Sequence, residues 1–280
     1  MPSPLAQKRD RLLALLAEMQ RVVVAFSAGV DSTVVAKAAK LACGENAIAV
    51  TAVSSSLAEG ELEQAQSLAK QIGIQHRILE TAEFENPNYT ANPANRCYFC
   101  KSELYSRLEE WLPAQDWGVA VNGVNADDVG DHRPGMIAAS EHGVRSPLLE
   151  VGLTKAEVRE LAREWDLPVW DKPAMPCLSS RVAYGVEVTP ERTHRIDAAE
   201  RFLRDRLGIR ELRVRLEAND LARIEVPLSD LPRLLEPDVR DEITLHFKKL
   251  GFRSVTVDLE GFRSGSLNSA LAPDQLEILD

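Results

Sequence analysis

Residues 21 to 26, Arg-Val-Val-Val-Ala-Phe, form a short β-branched run that stops at Ser27-Ala28-Gly29-Val30-Asp31-Ser32. Thr33 to Cys43 then continues without a breaker and is rich in Ala, Val and Lys. That order reads as buried strand, tight loop and helix. In such a unit the loop amides and the helix dipole converge on an anion at the carboxyl edge of a parallel sheet, so Ser27 to Ser32 is a candidate phosphate site. The loop is neither G-x-x-x-x-G-K-[ST] nor G-x-G-x-x-G, which argues against a phosphoryl-transferring NTPase and against a dinucleotide oxidoreductase.

The alternation continues. Asn46 to Val53 and Ile74 to Leu79 read as strands, Leu57 to Ile72 and Ser102 to Leu112 as helices, and Gly118 to Val121 as a fourth strand. Thr154 and Glu157 form a capping box that opens a helix to about Trp165. The fold class is therefore α/β, a parallel twisted sheet with helices on both faces. Three prolines between Leu167 and Glu187 mark a long ordered loop, and the first domain is expected to span 1–186 with Cys177 in it. A helix from Pro190 to about Leu207, strands near 211–216, 222–226 and 254–259 and a helix over 238–250 make 187–280 a smaller α+β domain.

Composition excludes several classes of function. With 33 basic and 43 acidic residues the net charge is −10, so a track along nucleic-acid phosphates would work against the field of the whole molecule, and no nucleic-acid partner is expected. Apolar runs such as Val22 to Phe26 fall far short of the roughly 20 residues a membrane span needs. The N-terminal Leu-rich stretch is interrupted by Asp10 and Glu18 and reads as an amphipathic helix rather than an export signal. A cytoplasmic location follows, in which the four cysteines stay reduced.

Gly123-Val124-Asn125-Ala126-Asp127-Asp128 follows the fourth strand on the same sheet edge as the first loop and offers an amide and carboxylates for Mg2+ and ribose or phosphate groups. His132 to Gly135 adds Arg133 to that mouth. Cys177 sits among Lys172, Ser179, Ser180 and Arg181, whose cations could favour its thiolate. Cys97 and Cys100 form a C-x-x-C pair open to three readings: redox centre, metal ligands, or simple packing at a helix start. Cys43 reads as a core residue.

Together Ser27 to Ser32, Gly123 to Asp128 with Arg133-Pro134-Gly135, Arg145 to Leu148 and Cys177-Leu178-x-Ser180-Arg181 make the chain resemble the LarE family. Its members are ATP-dependent sulfur transferases of nickel-pincer cofactor assembly, within the ATP pyrophosphatases whose loop reads Ser-Gly-Gly-x-Asp-Ser. Ala28 departs from that loop at its first glycine, where a Cβ requires φ below zero or a phosphate slightly further off. The resemblance implies that MgATP adenylates a carboxylate of pyridinium biscarboxylic acid mononucleotide and that a thiolate displaces AMP. In the sacrificial form the cysteine ends as dehydroalanine.

Carried over residue by residue, the resemblance makes Cys177 the sulfur donor, with Asp31, Ser180 and Arg181 as its catalytic companions. Ser27, Ala28, Gly29, Val30, Asp31, Ser32, Gly123, Asn125, Asp128 and Arg133 would bind the nucleotide, Arg213 and Arg215 the substrate phosphate, and Glu200, Glu225 and Asp230 a divalent metal. Some members carry a three-cysteine set associated with an iron–sulfur cluster, which makes Cys97, Cys100 and Cys177 candidate ligands of a [4Fe-4S] cluster with one open iron. A homo-oligomer is expected. On spacing alone Arg213 and Arg215 would be a solvated strand face. The rivals are a tRNA thiolase, which the net charge disfavours, and an amidating synthetase, which would have no use for Cys177.

Overall fold

The valine run that was expected to open the fold does so in the computed structural model, which describes residues 3–114, 117–129, 134–173 and 175–263. Strand β1 is Val22–Ala25. Val22 and Val24 join one apolar cluster with Leu12, Leu16, Val34 and Leu161, whereas Val23 joins another with Ile48, Val50, Leu104 and Leu108. Successive residues of a strand face opposite ways, so a run apolar at every position is buried on both faces, as a parallel sheet requires.

The first unit comprises Met1–Ser54, Gly60–Glu83 and Cys97–Met175. It contains α1 (Pro4–Glu18), β1, α2 (Val30–Cys43), β2 (Ala47–Val53), α3 (Glu61–Ile72) and β3 (Gln75–Glu80). After α4 (Pro87–Thr90), which belongs to the second unit, come α5 (Arg96–Ala114), β4 (Val119–Val121), α6 (Pro134–Glu141), α7 (Pro147–Glu150) and α8 (Lys155–Glu164). The sheet order is β3-β2-β1-β4, with all neighbours parallel. The chain leaves β1 toward β2 and β3, then returns to the other side of β1 for β4. Loops after β1 and β4 therefore flank a topological switch point, the crevice where open α/β sheets bind ligands.

Two helix starts differ from the sequence reading. Helix α3 begins at Glu61 instead of Leu57, because Gly60 takes a left-handed φ of 85° that ends the preceding turn. Helix α5 begins at Arg96 instead of Ser102, which places Cys97 and Cys100 within its first turns. A tertiary contact holds that extension: Tyr98 Oη donates to Glu141 at 2.6 Å.

The second unit comprises Ser55–Glu59, Phe84–Arg96 and Pro176–Asp280. It holds α9 (Pro190–Leu207), β5 (Arg213–Glu217), β6 (Leu221–Glu225), α10 (Leu231–Leu235), α11 (Pro237–Lys249) and β7 (Ser254–Val257). Its sheet runs β5-β6-β7, antiparallel then parallel, over buried Ile196, Leu203, Ile243 and Phe247. The division falls between Met175 and Pro176, ahead of the boundary expected at 186, because the Cys177 segment pairs with this sheet. Val182 bridges Leu216 of β5, and the Ala183 amide donates to the Leu216 carbonyl. Among the described residues no helix is long and apolar enough to cross a membrane.

Gly123, directly beyond β4, fixes how closely the two crevice loops approach. A Cβ there would lie 2.8 Å from the Ser32 amide nitrogen and 3.1 Å from Asp31 Cβ, so backbone would have to move. Gly123→Ala should therefore cost about 1–3 kcal/mol, the usual range for overpacking, and should weaken nucleotide binding with it. Urea denaturation and ATP calorimetry check this; unchanged stability and affinity would mean that the approach is not needed.

Candidate functional site

Ala28 has φ +56° and no exposed surface, so the loop after β1 keeps the left-handed conformation of a glycine. Of the two conditions under which a Cβ was expected to be tolerated here, φ below zero is not the one adopted. Left-handed φ costs an alanine roughly 1–2 kcal/mol, which burial of its methyl, at about 0.8 kcal/mol per buried carbon, partly offsets. Gly29 is the N-cap of α2, and the first helical bond runs from the Thr33 amide to its carbonyl at 3.0 Å. The amides of Val30, Asp31 and Ser32 are thus left facing out of the helix, as at any helix start. Ser32 Oγ donates to the Gly29 carbonyl at 3.1 Å and accepts from the Ser27 amide at 3.3 Å, which ties the loop's two ends together.

Asp31 stands in the first turn of α2 with both carboxylate oxygens engaged. Oδ1 accepts from Asn125 Nδ2 at 3.1 Å, and Oδ2 is ion-paired with Lys155 Nζ. Asn125 caps a single 3-10 turn, accepting from the Asp127 amide at 3.0 Å, while its own amide donates to Asp128 at 3.0 Å. Asp127 in turn accepts from the Lys155 amide at 2.8 Å. The loops after β1 and β4 and the start of α8 therefore meet around Asp31. Arg133 lies outside the described residues. Lys155 is the site residue that sequence reasoning missed: it stood in a recognised capping box, and the box gave no sign of where the side chain reaches.

In the second unit Cys177 is exposed and precedes a 3-10 turn, Leu178–Arg181. The turn's backbone is held from every side by buried polar groups. Its Ser179 carbonyl accepts from Arg96 Nη1 at 2.7 Å, and Ser179 Oγ pairs with Tyr89 Oη at 2.7 Å. Arg215 Nη1 donates to the Ser180 carbonyl at 2.9 Å, and the Leu178 amide donates to Ser56 at 2.9 Å. Arg181 donates to the carbonyls of Pro176 and Cys177, the latter at 2.9 Å, and Ser180 Oγ reaches the Cys177 carbonyl at 2.6 Å. Arg181 and Ser180 therefore act on the cysteine's backbone. Lys172 of the first unit bonds Gln64 Oε1 at 2.6 Å and Glu61 at 3.4 Å.

Arg213 and Arg215 are each only 5% exposed, so β5 presents them inward rather than as a solvated face. Arg213 lies 5.0 Å from the Phe262 ring centre and donates to the Leu212 carbonyl at 2.7 Å. Burial lowers its pKa to about 10, and the charge of nearby Arg181 adds to the effect. The three carboxylates considered for metal all face guanidinium groups. Glu200 accepts from Arg181 Nε at 3.0 Å and Arg204 at 2.6 Å, Glu225 from Arg215 at 2.8 Å and Arg223 at 2.7 Å, and Asp230 from Arg233 at 2.7 Å.

Cys97 is exposed and Cys100 half-buried, both at the start of α5 in the first unit. Because α5 returns from the end of β3 to the start of β4, that start lies at the carboxyl edge of the sheet, as does the phosphate loop. Cys43 packs against the core with its thiol on the Leu16 carbonyl at 3.2 Å, and burial pushes its pKa up.

Burial alone would raise the Glu200 pKa, but Arg181, Arg204 and Arg213 outweigh it and hold the carboxyl below its usual range. A glutamate lowered on folding contributes its full stability above its unfolded pKa of about 4.3 and loses it as pH falls through the lower folded value. Glu200→Gln should cost about 3–5 kcal/mol at neutral pH by stranding buried arginines, and should flatten the acid side of the stability profile. Urea denaturation across pH measures both; a profile parallel to that of the wild type would show the pair to be inert.

Comparison with known proteins supplies the frame for this geometry. A family model described as NAD synthase matches residues 13–107, the stretch that carries the phosphate loop. An uncharacterized protein of Synechocystis sp. is 49% identical over 267 residues, covering 95% of this chain and 99% of its own. The pyridinium-3,5-bisthiocarboxylic acid mononucleotide synthase of Lactiplantibacillus plantarum is 38% identical over 273 residues, covering 97% and 98%. With a nucleotide loop at the switch point of one unit, an exposed cysteine on a buried arginine scaffold in the other, and that identity along nearly its whole length, the chain belongs to the LarE family of ATP-dependent sulfur transferases.

Proposed function

We propose that the chain uses MgATP to adenylate a carboxylate of pyridinium biscarboxylic acid mononucleotide and then replaces an oxygen of that carboxylate with the sulfur of Cys177. The observation that carries the reading is the division of labour within one chain. An anion-binding loop stands at the switch point of the first unit, and a thiol is held out on a pinned turn in the second. A carboxylate oxygen is a poor leaving group and AMP a good one, so activation must come first.

The substrate carboxylate attacks the α-phosphorus, and the bond to the bridging oxygen breaks with its electron pair leaving on pyrophosphate. Amides of Val30 to Ser32 and the dipole of α2 suit that developing charge. The Cys177 thiolate then attacks the acyl carbon and expels AMP, giving a thioester. Loss of the Cys177 α-proton breaks its Cβ–S bond, which leaves a thiocarboxylate on the substrate and dehydroalanine in the chain. The substrate phosphate is assigned to Arg213 and Arg215. A dianion beside Arg213 would relieve the crowding of positive charge that depresses its pKa.

A [4Fe-4S] cluster on Cys97, Cys100 and Cys177 would supply sulfide without consuming the chain. Among the described residues no three His, Cys, Asp or Glu side chains are grouped to hold a metal, and the transfer proposed here takes its sulfur from Cys177. Four free thiols suit the cytoplasm, and exposed Leu228, Leu235, Leu245 and Leu259 offer apolar surface for a homo-oligomer.

Cys177→Ser should still release pyrophosphate from ATP in the presence of the mononucleotide, while forming no thiocarboxylate. Loss of pyrophosphate release in a folded, ATP-binding variant would reverse the proposed order. Arg213→Ala should weaken substrate binding by roughly 2–5 kcal/mol, the range for a desolvated charged contact. Unchanged calorimetric affinity would remove Arg213 from the substrate site.

A further inference from the structure

The carbonyl oxygen of Cys177 accepts three hydrogen bonds: from the Ser180 amide at 3.0 Å, from Ser180 Oγ at 2.6 Å and from Arg181 Nη1 at 2.9 Å. A peptide carbonyl has two lone pairs, so three donors, one of them a guanidinium, are more than a neutral oxygen uses. Arg181 Nη1 also donates to Ser180 Oγ at 3.1 Å, so the cation polarises the hydroxyl that it shares the oxygen with. Glu200 engages Nε and Nη2 of Arg181, at 3.0 and 3.4 Å, which leaves Nη1 as the corner turned toward the cysteine, where it meets the Pro176 carbonyl as well. Arg181 is 1% exposed, so water does not compete for that corner. The Cys177 thiol itself is exposed.

Attack by the thiolate makes no use of a reinforced carbonyl on the cysteine itself, whereas the later breaking of its Cβ–S bond does. Removal of the Cα proton leaves an electron pair that delocalises onto that carbonyl as an enolate oxygen. Donors fixed around the oxygen before charge develops there lower the barrier most. We propose that Ser180 and Arg181 are catalytic residues that form an oxyanion hole for the enolate of Cys177. The thioester-bound cysteine gives its Cα proton to water, and the electron pair passes to the Cys177 oxygen. The pair then returns to form the Cα–Cβ double bond as the Cβ–S bond breaks, with the electrons of that bond leaving on sulfur. A thiocarboxylate anion, dehydroalanine and one hydrated proton result, and nothing is oxidised or reduced by an outside reagent.

The assignment rests on transfer of sulfur from Cys177, and its test includes a part that needs no substrate. Cyanylation of the thiols of the full chain turns each cysteine sulfur into thiocyanate, a leaving group on Cβ. Its elimination yields dehydroalanine, which peptide mass spectrometry follows position by position over time. Ser180→Ala should slow elimination at position 177 roughly 10- to 100-fold, up to the usual cost of losing one oxyanion donor, and leave elimination at exposed Cys97 unchanged. Ser180→Thr keeps the hydroxyl and should recover most of the rate. Arg181→Lys should also slow elimination at 177; if it fails to fold, the contrast between Ser180→Ala and Ser180→Thr carries the decision. Equal rates at 177 in wild type and Ser180→Ala, or an equal slowing at Cys97, would overturn the oxyanion hole. A wild type that eliminates thiocyanate rapidly at 177, yet holds no dehydroalanine after turnover with the mononucleotide and MgATP, would overturn sulfur transfer from Cys177 and the catalytic role with it.

Discussion

The buried contact between Arg181 and Glu200 is the constraint on which the sulfur half of the molecule depends. Each residue is 1% exposed, so removing either would leave a buried charge short of its partner. Having neutralised Arg181, Glu200 leaves the rest of that guanidinium free to grip the carbonyls of Pro176 and Cys177. Glu200 also accepts from Arg204 and from the Val214 amide at 3.1 Å, which joins α9, β5 and the cysteine turn in one network. The consequence is a thiol that is exposed while its backbone is hydrogen-bonded in place. That combination suits nucleophilic attack, because the sulfur is reachable yet little entropy remains to be lost on reaching the transition state.

In the first unit the corresponding constraint is topological. The reversal of strand order places two loops beside each other, and Gly123 lets them close to backbone contact. Asp31 then gathers Asn125 from one loop and Lys155 from the start of α8. Helix-start amides and the Asp31–Lys155 ion pair are thereby gathered at one edge of the sheet, the place we propose for the pyrophosphate end of the nucleotide.

The nucleotide half was legible in the sequence because its signals are local. The valine run, the small-residue loop and the following helix are consecutive, and burial on both faces follows from the lack of alternation. Cys177 lies exposed before a short turn, in the loop that its proline-rich neighbourhood marked. Local signals also misled. Ser102 looked like a helix start, whereas the contact of Tyr98 with Glu141 helps carry α5 back to Arg96. Arg213 and Arg215 read as exposed on period alone, because period does not show that Phe262 covers one and that the Ser180 carbonyl and Glu225 hold the other. Lys155 was invisible for the same reason: its partner Asp31 lies 124 positions earlier.

The most direct measurement is the intact mass of the chain after a single turnover with stoichiometric mononucleotide and MgATP. Transfer from Cys177 predicts that the chain becomes lighter by the mass of one hydrogen sulfide molecule, with the loss mapped by fragmentation to position 177, in proportion to thiocarboxylate formed. A chain of unchanged mass alongside an equal or greater amount of thiocarboxylate product would contradict it and place the sulfur source elsewhere.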